Sequence, residues 1–379
     1  MRRTGLWLIG ARGSVATTAV CGLLGLRAGL VPPTGSVTAL LDTHVPEGVL
    51  PPWDSLVVGG HDVVSTPLAK RAEHLARAGV VPADLLGPIA AGLAEVQAEL
   101  RDVPQLGPQV EVAARMVADL ASFRSRHSLD RVVVVNVAST EPPAPPRPEH
   151  ADLAALERAL SSGEDVLPPS SLAAYAAFKA GCPFVDFTPS TGVTLPALDE
   201  LAAVVGVPYA GRDGKTGETL VRTVLAPMFT ARALRVLSWS GTNLLGGGDG
   251  ATLEDPDHAS SKLRTKASGL AALLGHPVVA PLHIDNVPDL GERKTSWDHV
   301  SFEGFLGARM SLQFTWSGLD SALAAPLVLD LARLLAAAHR AGRVGVQGAL
   351  GFFFKDPLGS TEHGFARQTR DLAEWVEGL

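Results

Sequence analysis

Between Gly5 and Gly29 the chain runs an apolar stretch, Leu6 to Ile9, a glycine turn, Gly10-Ala11-Arg12-Gly13, and a small-residue stretch from Ser14 to Leu26. Strand, glycine turn and helix in that order set a pyrophosphate on a helix N-terminus in dinucleotide folds, where unpaired N–H groups and the helix dipole meet the charge. The spacing is Gly-x-x-Gly-x-x-Ala and not the full Gly-x-Gly-x-x-Gly, so a plain tight turn is the competing interpretation. Its place after the first strand favours the dinucleotide one. Further strands are expected at Ser55 to Val58, Arg131 to Val137 and Pro183 to Phe187, with alanine-rich helical stretches between them. Valine runs without alternation suit parallel strands covered on both faces, which makes the architecture doubly wound α/β. Ligands of such sheets bind beyond the carboxyl ends of the strands. The loops Gly59 to Asp62, Asn136 to Glu141 and Thr188 to Gly192 should therefore line one crevice, and Pro142 to Pro148 is a surface excursion.

From about Arg232 the pattern changes. Strand signals at Val236 to Trp239, Val278 to Ile284 and Ala308 to Trp316, with a helix-like stretch from Asp257 to Leu274, fit a mixed sheet in a second, α+β domain. A length of 379 residues has room for two domains. The net charge of −7 with 19% charged residues argues against a nucleic-acid-binding surface. Arg12 interrupts the first apolar run, and Pro326, Asp330 and Arg333 interrupt the run Ala322 to Ala338, which reads as a buried helix, so no membrane span is expected. Cys21 and Cys182 lack metal-site or disulfide spacing and read as core residues of a reducing, cytoplasmic protein. Asp255, Asp257 and His258 cluster, but their place before the helix-like stretch makes a helix cap the simpler reading, and no metal site is expected.

Of the 32 basic residues only seven are lysines: Lys70, Lys179, Lys215, Lys262, Lys266, Lys294 and Lys355. In so arginine-rich a chain the lysines call for an explanation. An ammonium can have its pKa lowered by burial and then exchange protons, which a guanidinium does not do. Lys262 and Lys266, spaced i, i+4, share a helix face, where an anion between them would relieve the like-charge contact; two solvated lysines on a generally basic helix, with Arg264, are the alternative.

The runs Leu8 to Ala19, Val57 to His61, Asn136 to Glu141, Gly211 to Gly217, Leu245 to Gly250, Ser261 to Lys266 and Gly291 to Lys294 together resemble the inositol-phosphate synthases, NAD-dependent sugar-phosphate cyclases, and most closely their short archaeal-type members. The similarity extends to Lys355 and covers nearly the whole chain. It implies a Rossmann-like doubly wound parallel sheet in a NAD-binding domain over 1–225, an α+β catalytic and oligomerisation domain over 226–321, a C-terminal return to the first domain over 322–379, and a homotetramer. It implies NAD as cofactor, with Gly10, Ala11, Arg12, Gly13, Ser14, Val15, Gly60, His61, Asn136, Ser139, Thr140, Ser190, Asp213 and Lys215 on the cofactor side.

The implied reaction is a redox-neutral cyclisation of glucose 6-phosphate to 1L-myo-inositol 1-phosphate by oxidation at C5, enolisation, intramolecular aldol closure and reduction. Lys262 would exchange the C5 hydroxyl proton, Lys266 would hold the phosphate, Lys294 and Lys355 would surround the enolate and the aldol oxyanion, and Asp249 would orient a lysine or a hydroxyl. Two positions depart from the family pattern: Gly247 stands where Asn is common, and Glu292 where Asp is. They leave room for fructose 6-phosphate closing to a five-membered ring. A non-catalytic NAD-binding protein on the same fold and a simple dehydrogenase are the remaining alternatives.

Overall fold

The computed structural model describes residues 2–42, 45–103, 107–246 and 269–379. Seven strands form a wholly parallel sheet: β1 (Thr4–Ile9), β2 (Leu56–Asp62), β3 (Leu100–Asp102), β4 (Arg131–Asn136), β5 (Phe184–Asp186), β6 (Pro208–Gly211) and β11 (Gly345–Val346). Their spatial order is β3-β2-β1-β4-β5-β6-β11, so the winding reverses between β1 and β4. Alternation along β1 divides the interior into two cores. Leu6 and Leu8 face one side with Val133 and Val135, against the helices Ser14–Arg27 and Asp320–Arg340. Trp7 and Ile9 face the other with Val132 and Val134, against the helices Gln109–Arg126 and Pro169–Lys179. Cover on both faces is why these strands tolerate unbroken valine.

The apolar run expected near Ala322 is the helix Asp320–Arg340, lying in the first core. Its two central charges are answered within the protein. Asp330 accepts from Ser36 Oγ and Val37 N, both at 2.7 Å, and from Thr38 N at 3.2 Å. Arg333 grips both oxygens of Asp42 at 2.8 Å, donates to Pro51 O at 2.7 Å and stacks 4.1 Å from the centre of the Trp53 ring. The helix thereby ties down the connection between the first helix and β2. Cys21 and Cys182 are buried free thiols, and burial pushes both up to about 12.

A second sheet holds β7 (Arg235–Leu245), β8 (Leu282–Asn286), β9 (Arg293–Glu303) and β10 (Arg309–Leu319) in the order β10-β9-β7-β8. Its inner face packs on the helix Gly217–Ala231, with Trp239 and Val300 against Ala226 and Phe229. Here the sequence expectations need correction. β8 begins at Leu282, because Val278 to Pro281 make only an isolated bridge between Ser238 and Val279. The whole of β9 goes unmarked by hydropathy, since two of its inward positions, Ser296 and Asp298, are polar and no apolar alternation results. Lys294 thus stands on a strand. The short β3, β6 and β11 were also silent. Most of the stretch from Asp257 to Leu274 lies outside the described residues, as do the cluster Asp255, Asp257 and His258, and Gly247.

Candidate active site

At the reversal between β1 and β4 the glycine turn closes tightly. Gly10, at φ +83°, and Ala11 both donate to His61 O, at 2.9 and 3.1 Å. A Cβ on Gly60 would stand 2.4 Å from Leu8 O, and one on Gly13 3.2 Å from Gly10 O. The helix Ser14–Arg27 then starts without a side-chain cap and without an acid in its first turn, and its half-buried Val15 packs against the first core. Uncapped N–H groups over a backbone that leaves no room for side chains make a seat for a pyrophosphate. Arg12 supports the same use: its backbone N–H donates to Asp62 Oδ2 at 2.6 Å, its Nη1 to Val64 O at 2.9 Å, and its buried Nε has no partner. Asp62 ends β2, the position where dinucleotide sheets keep the acid that meets the adenine ribose, and here its Oδ1 also accepts from Val64 N at 3.0 Å. Motif spacing overlooked it, although an acid closing the second strand is the signal that would have found it. The residues present fit NAD.

The other cofactor-side residues divide. His61 is fully buried, accepting from Trp7 Nε1 at Nδ1 (3.0 Å) and meeting Asp119 Oδ2 at Nε2 (2.9 Å). Asn136 donates to Asp186 Oδ1 at 3.1 Å and accepts from Ala138 N at 3.2 Å. Both side chains are committed to holding the loops from within. Thr140 and Ser190 are buried, Ser139 is exposed, and Ser190 Oγ accepts from Glu141 N. Asp186, enclosed at the end of β5, has its carboxyl pushed up to about 7 by burial. Ser14 Oγ donates to Glu292 Oε1 at 3.1 Å and lies 3.3 Å from Arg71 Nη2, so the segment before Lys294 touches the glycine turn.

The two described lysines to which the resemblance gives a catalytic role each face an aspartate. Lys355 Nζ donates to Asp213 Oδ1 at 2.8 Å, and Lys294 Nζ to Asp320 Oδ2 at 2.9 Å. Asp320, the first residue of the long core helix, is a second group that sequence reading passed over. A single segment joins the pairs: Asp213 holds one lysine, and Thr216 Oγ1 lies 3.4 Å from Asp320 Oδ1, which belongs to the other. That segment leads into the helix Gly217–Ala231, whose first turn has no side-chain cap and carries one buried acid, Glu218, with Arg222 Nε 2.6 Å from its Oε1. Lys215 turns elsewhere. It is 4% exposed, donates to Gln368 Oε1, and burial lowers it to about 7. Lys262, Lys266 and Asp249 lie outside the described residues.

A family profile described as myo-inositol-1-phosphate synthase matches residues 4–377. An inositol-3-phosphate synthase 1 of Bacteroides thetaiotaomicron is 34% identical over 95% of this chain and 91% of its own length. One from Rattus norvegicus is 33% identical over 66% of this chain, which spans about half, 49%, of that relative. Among solved structures, an inositol-3-phosphate synthase of Caenorhabditis elegans superposes with a TM-score of 0.88 at 22% identity, covering 99% of this chain and 85% of the other. A myo-inositol-1-phosphate synthase-related protein of Thermotoga maritima gives 0.80 at 22% identity, covering 100% and 99%. At these identities the structures speak for the fold, and the profile and the bacterial relative speak for descent: the chain belongs to the myo-inositol-1-phosphate synthase family.

Proposed function

We propose that this protein converts glucose 6-phosphate to 1L-myo-inositol 1-phosphate, an intramolecular cyclisation that uses NAD catalytically. The observation that carries the reading is the pair of lysine–aspartate couples gathered on one segment beside a dinucleotide seat. When bound, NAD supplies a hydride acceptor and later a donor, so no net redox change results. The chain's own residues handle charge and protons. Loss of the C6 proton next to a C5 ketone leaves an enolate, and ring closure onto C1 develops an oxyanion. Lys294 and Lys355 are the fixed cations for both, because Asp320 and Asp213 anchor their ammonium groups where charge appears. The uncapped first turn of the Gly217–Ala231 helix, beside Lys294 and with its one acid, Glu218, answered by Arg222, suits the phosphate, with Lys266 in the supporting role the resemblance implies. Lys262 as the group exchanging the C5 hydroxyl proton and Asp249 as its orienter belong to the same proposal. So does a homotetramer, which the resemblance implies.

The test is incubation with NAD and glucose 6-phosphate or fructose 6-phosphate, with the product ring identified by NMR and absorbance followed at the wavelength of reduced nicotinamide. A six-membered cyclitol phosphate with no net absorbance change is expected. Lys355→Met and Lys294→Met should each lower kcat by about a hundredfold or more, the size of effect found when a transition-state charge loses a fixed partner. Accumulation of reduced cofactor by the wild type, or a five-membered product, would overturn the reading.

A further inference from the structure

Register places the inner face of the second sheet in rows across β7, β9 and β10. Trp239, Val300 and Leu312 make the first row, Gly241, Asp298 and Phe314 the second, Asn243, Ser296 and Trp316 the third, and Leu245, Lys294 and Gly318 the fourth. The helix Gly217–Ala231 lies over them in step. Phe229 meets Trp239 in the apolar first row, and Arg222 donates to Asp298 Oδ1 at 2.6 Å in the second. A Cβ on Gly217, at the uncapped start of the helix, would stand 3.1 Å from Trp316 Nε1 in the third. The face thus passes from packed core, through Arg222 shared between Asp298 and Glu218, to the row directly under the helix N-terminus and next to Lys294.

That third row is where hydrogen bonding fails. Asn243 and Ser296 are each 1% exposed, and both amide atoms of Asn243, the Ser296 hydroxyl and the enclosed indole nitrogen of Trp316 have no partner among the described residues. Ser321 Oγ, just after Asp320, is buried and unpartnered as well. Buried donors without acceptors are unfavourable and rarely kept unless something fills the gap. Here the Trp316 nitrogen lies against the helix start, whose N–H groups are themselves short of acceptors, and neighbouring strands about 4.8 Å apart give the row a breadth of about 10 Å. A group rich in acceptor oxygens satisfies the donors among them, the indole N–H, the serine hydroxyl and the Asn243 amide N–H, and leaves Asn243 Oδ1 to another donor.

We propose that Trp316 and Ser296, with Asn243 beside them, form the floor of the substrate's phosphate seat, the indole N–H and the serine hydroxyl donating to phosphate oxygens held at the first turn of the Gly217–Ala231 helix. The inference rests on the sugar-phosphate reading of the site and adds the residues that select for the phosphate. Trp316→Phe keeps the ring and deletes one donor; Ser296→Ala deletes the other. Each should raise the KM for glucose 6-phosphate and the inhibition constant of inorganic phosphate by about tenfold, as expected for a hydrogen bond to a charged group, with a smaller fall in kcat and NAD affinity within twofold of wild type. In wild-type protein labelled with 15N-tryptophan, the indole signal missing from Trp316→Phe should shift on titration with inorganic phosphate. Phosphate inhibition unchanged in both variants, or an indole signal unmoved at saturating phosphate, overturns the proposal while leaving cyclisation standing. Should the wild type bind phosphate with that shift yet make no cyclitol phosphate, the seat stands and the assigned reaction falls.

Discussion

Lys215 is buried beside a neutral amide, and that gives a prediction with a definite sign. Its ammonium meets Gln368 Oε1 and lies 5.8 Å from the centre of the Phe352 ring, and burial lowers it from 10.5 to about 7. The unfolded chain keeps its proton up to pH 10.5, whereas the folded chain gives it up near pH 7, so the unfavourable contribution is full below pH 7 and fades as pH rises towards 10.5. At pH 7 it amounts to about 4 kcal/mol. Lys215→Met removes that contribution and loses one hydrogen bond of about 1 kcal/mol, so the variant should be about 3 kcal/mol more stable at pH 7. By pH 9.5 the remaining contribution of about 1 kcal/mol is offset by the lost bond, and the two proteins should unfold together. Urea denaturation at both pH values, with protein and NAD concentrations held fixed, measures the difference. A variant weaker than wild type at pH 7, or a gap that is the same at both pH values, refutes the reasoning.

Gly13→Leu should weaken NAD binding at least tenfold in titration calorimetry, because even a Cβ there stands 3.2 Å from Gly10 O and a longer side chain enters the pyrophosphate seat. Arg333→Met should lower unfolding free energy by about 2–4 kcal/mol, since it leaves the acceptors Pro51 O and Thr38 Oγ1 without their buried donor and ends the stack on Trp53; equal denaturation midpoints would contradict the role given to that network.

The parts of this fold that sequence reveals are those where burial on both faces demands one kind of residue. The Val132 to Val135 run and the glycine turn after Ile9 are legible because neither has an alternative use. β9 is illegible for the reverse reason: Ser296 and Asp298 point inward, one towards the site and one to Arg222, so function and an ion pair erase the apolar alternation that marks a strand. Asp320 is hidden in another way. An acid at the first position of an apolar helix looks like a favourable charge at the positive end of a dipole, and only the fold shows Lys294 opposite it. His61 and Asn136 show the limit of family motifs, which mark positions that matter without separating a side chain that meets ligand from one that holds a loop.

The helix Asp320–Arg340 runs for about 30 Å, with a site carboxylate at its tip and the clamp of Asp330 and Arg333 along its shaft. Asp320 therefore has little freedom to wander during divergence, since its coordinates are inherited from core packing that tolerates few exchanges. A lineage that adapts this scaffold to a differently shaped sugar would alter the wall built from β7, β9 and β10, where one substitution changes one contact, and would leave the tip of the helix alone. Descendants with new substrates should differ from this chain at Asn243, Ser296 and Trp316 long before they differ at Asp320.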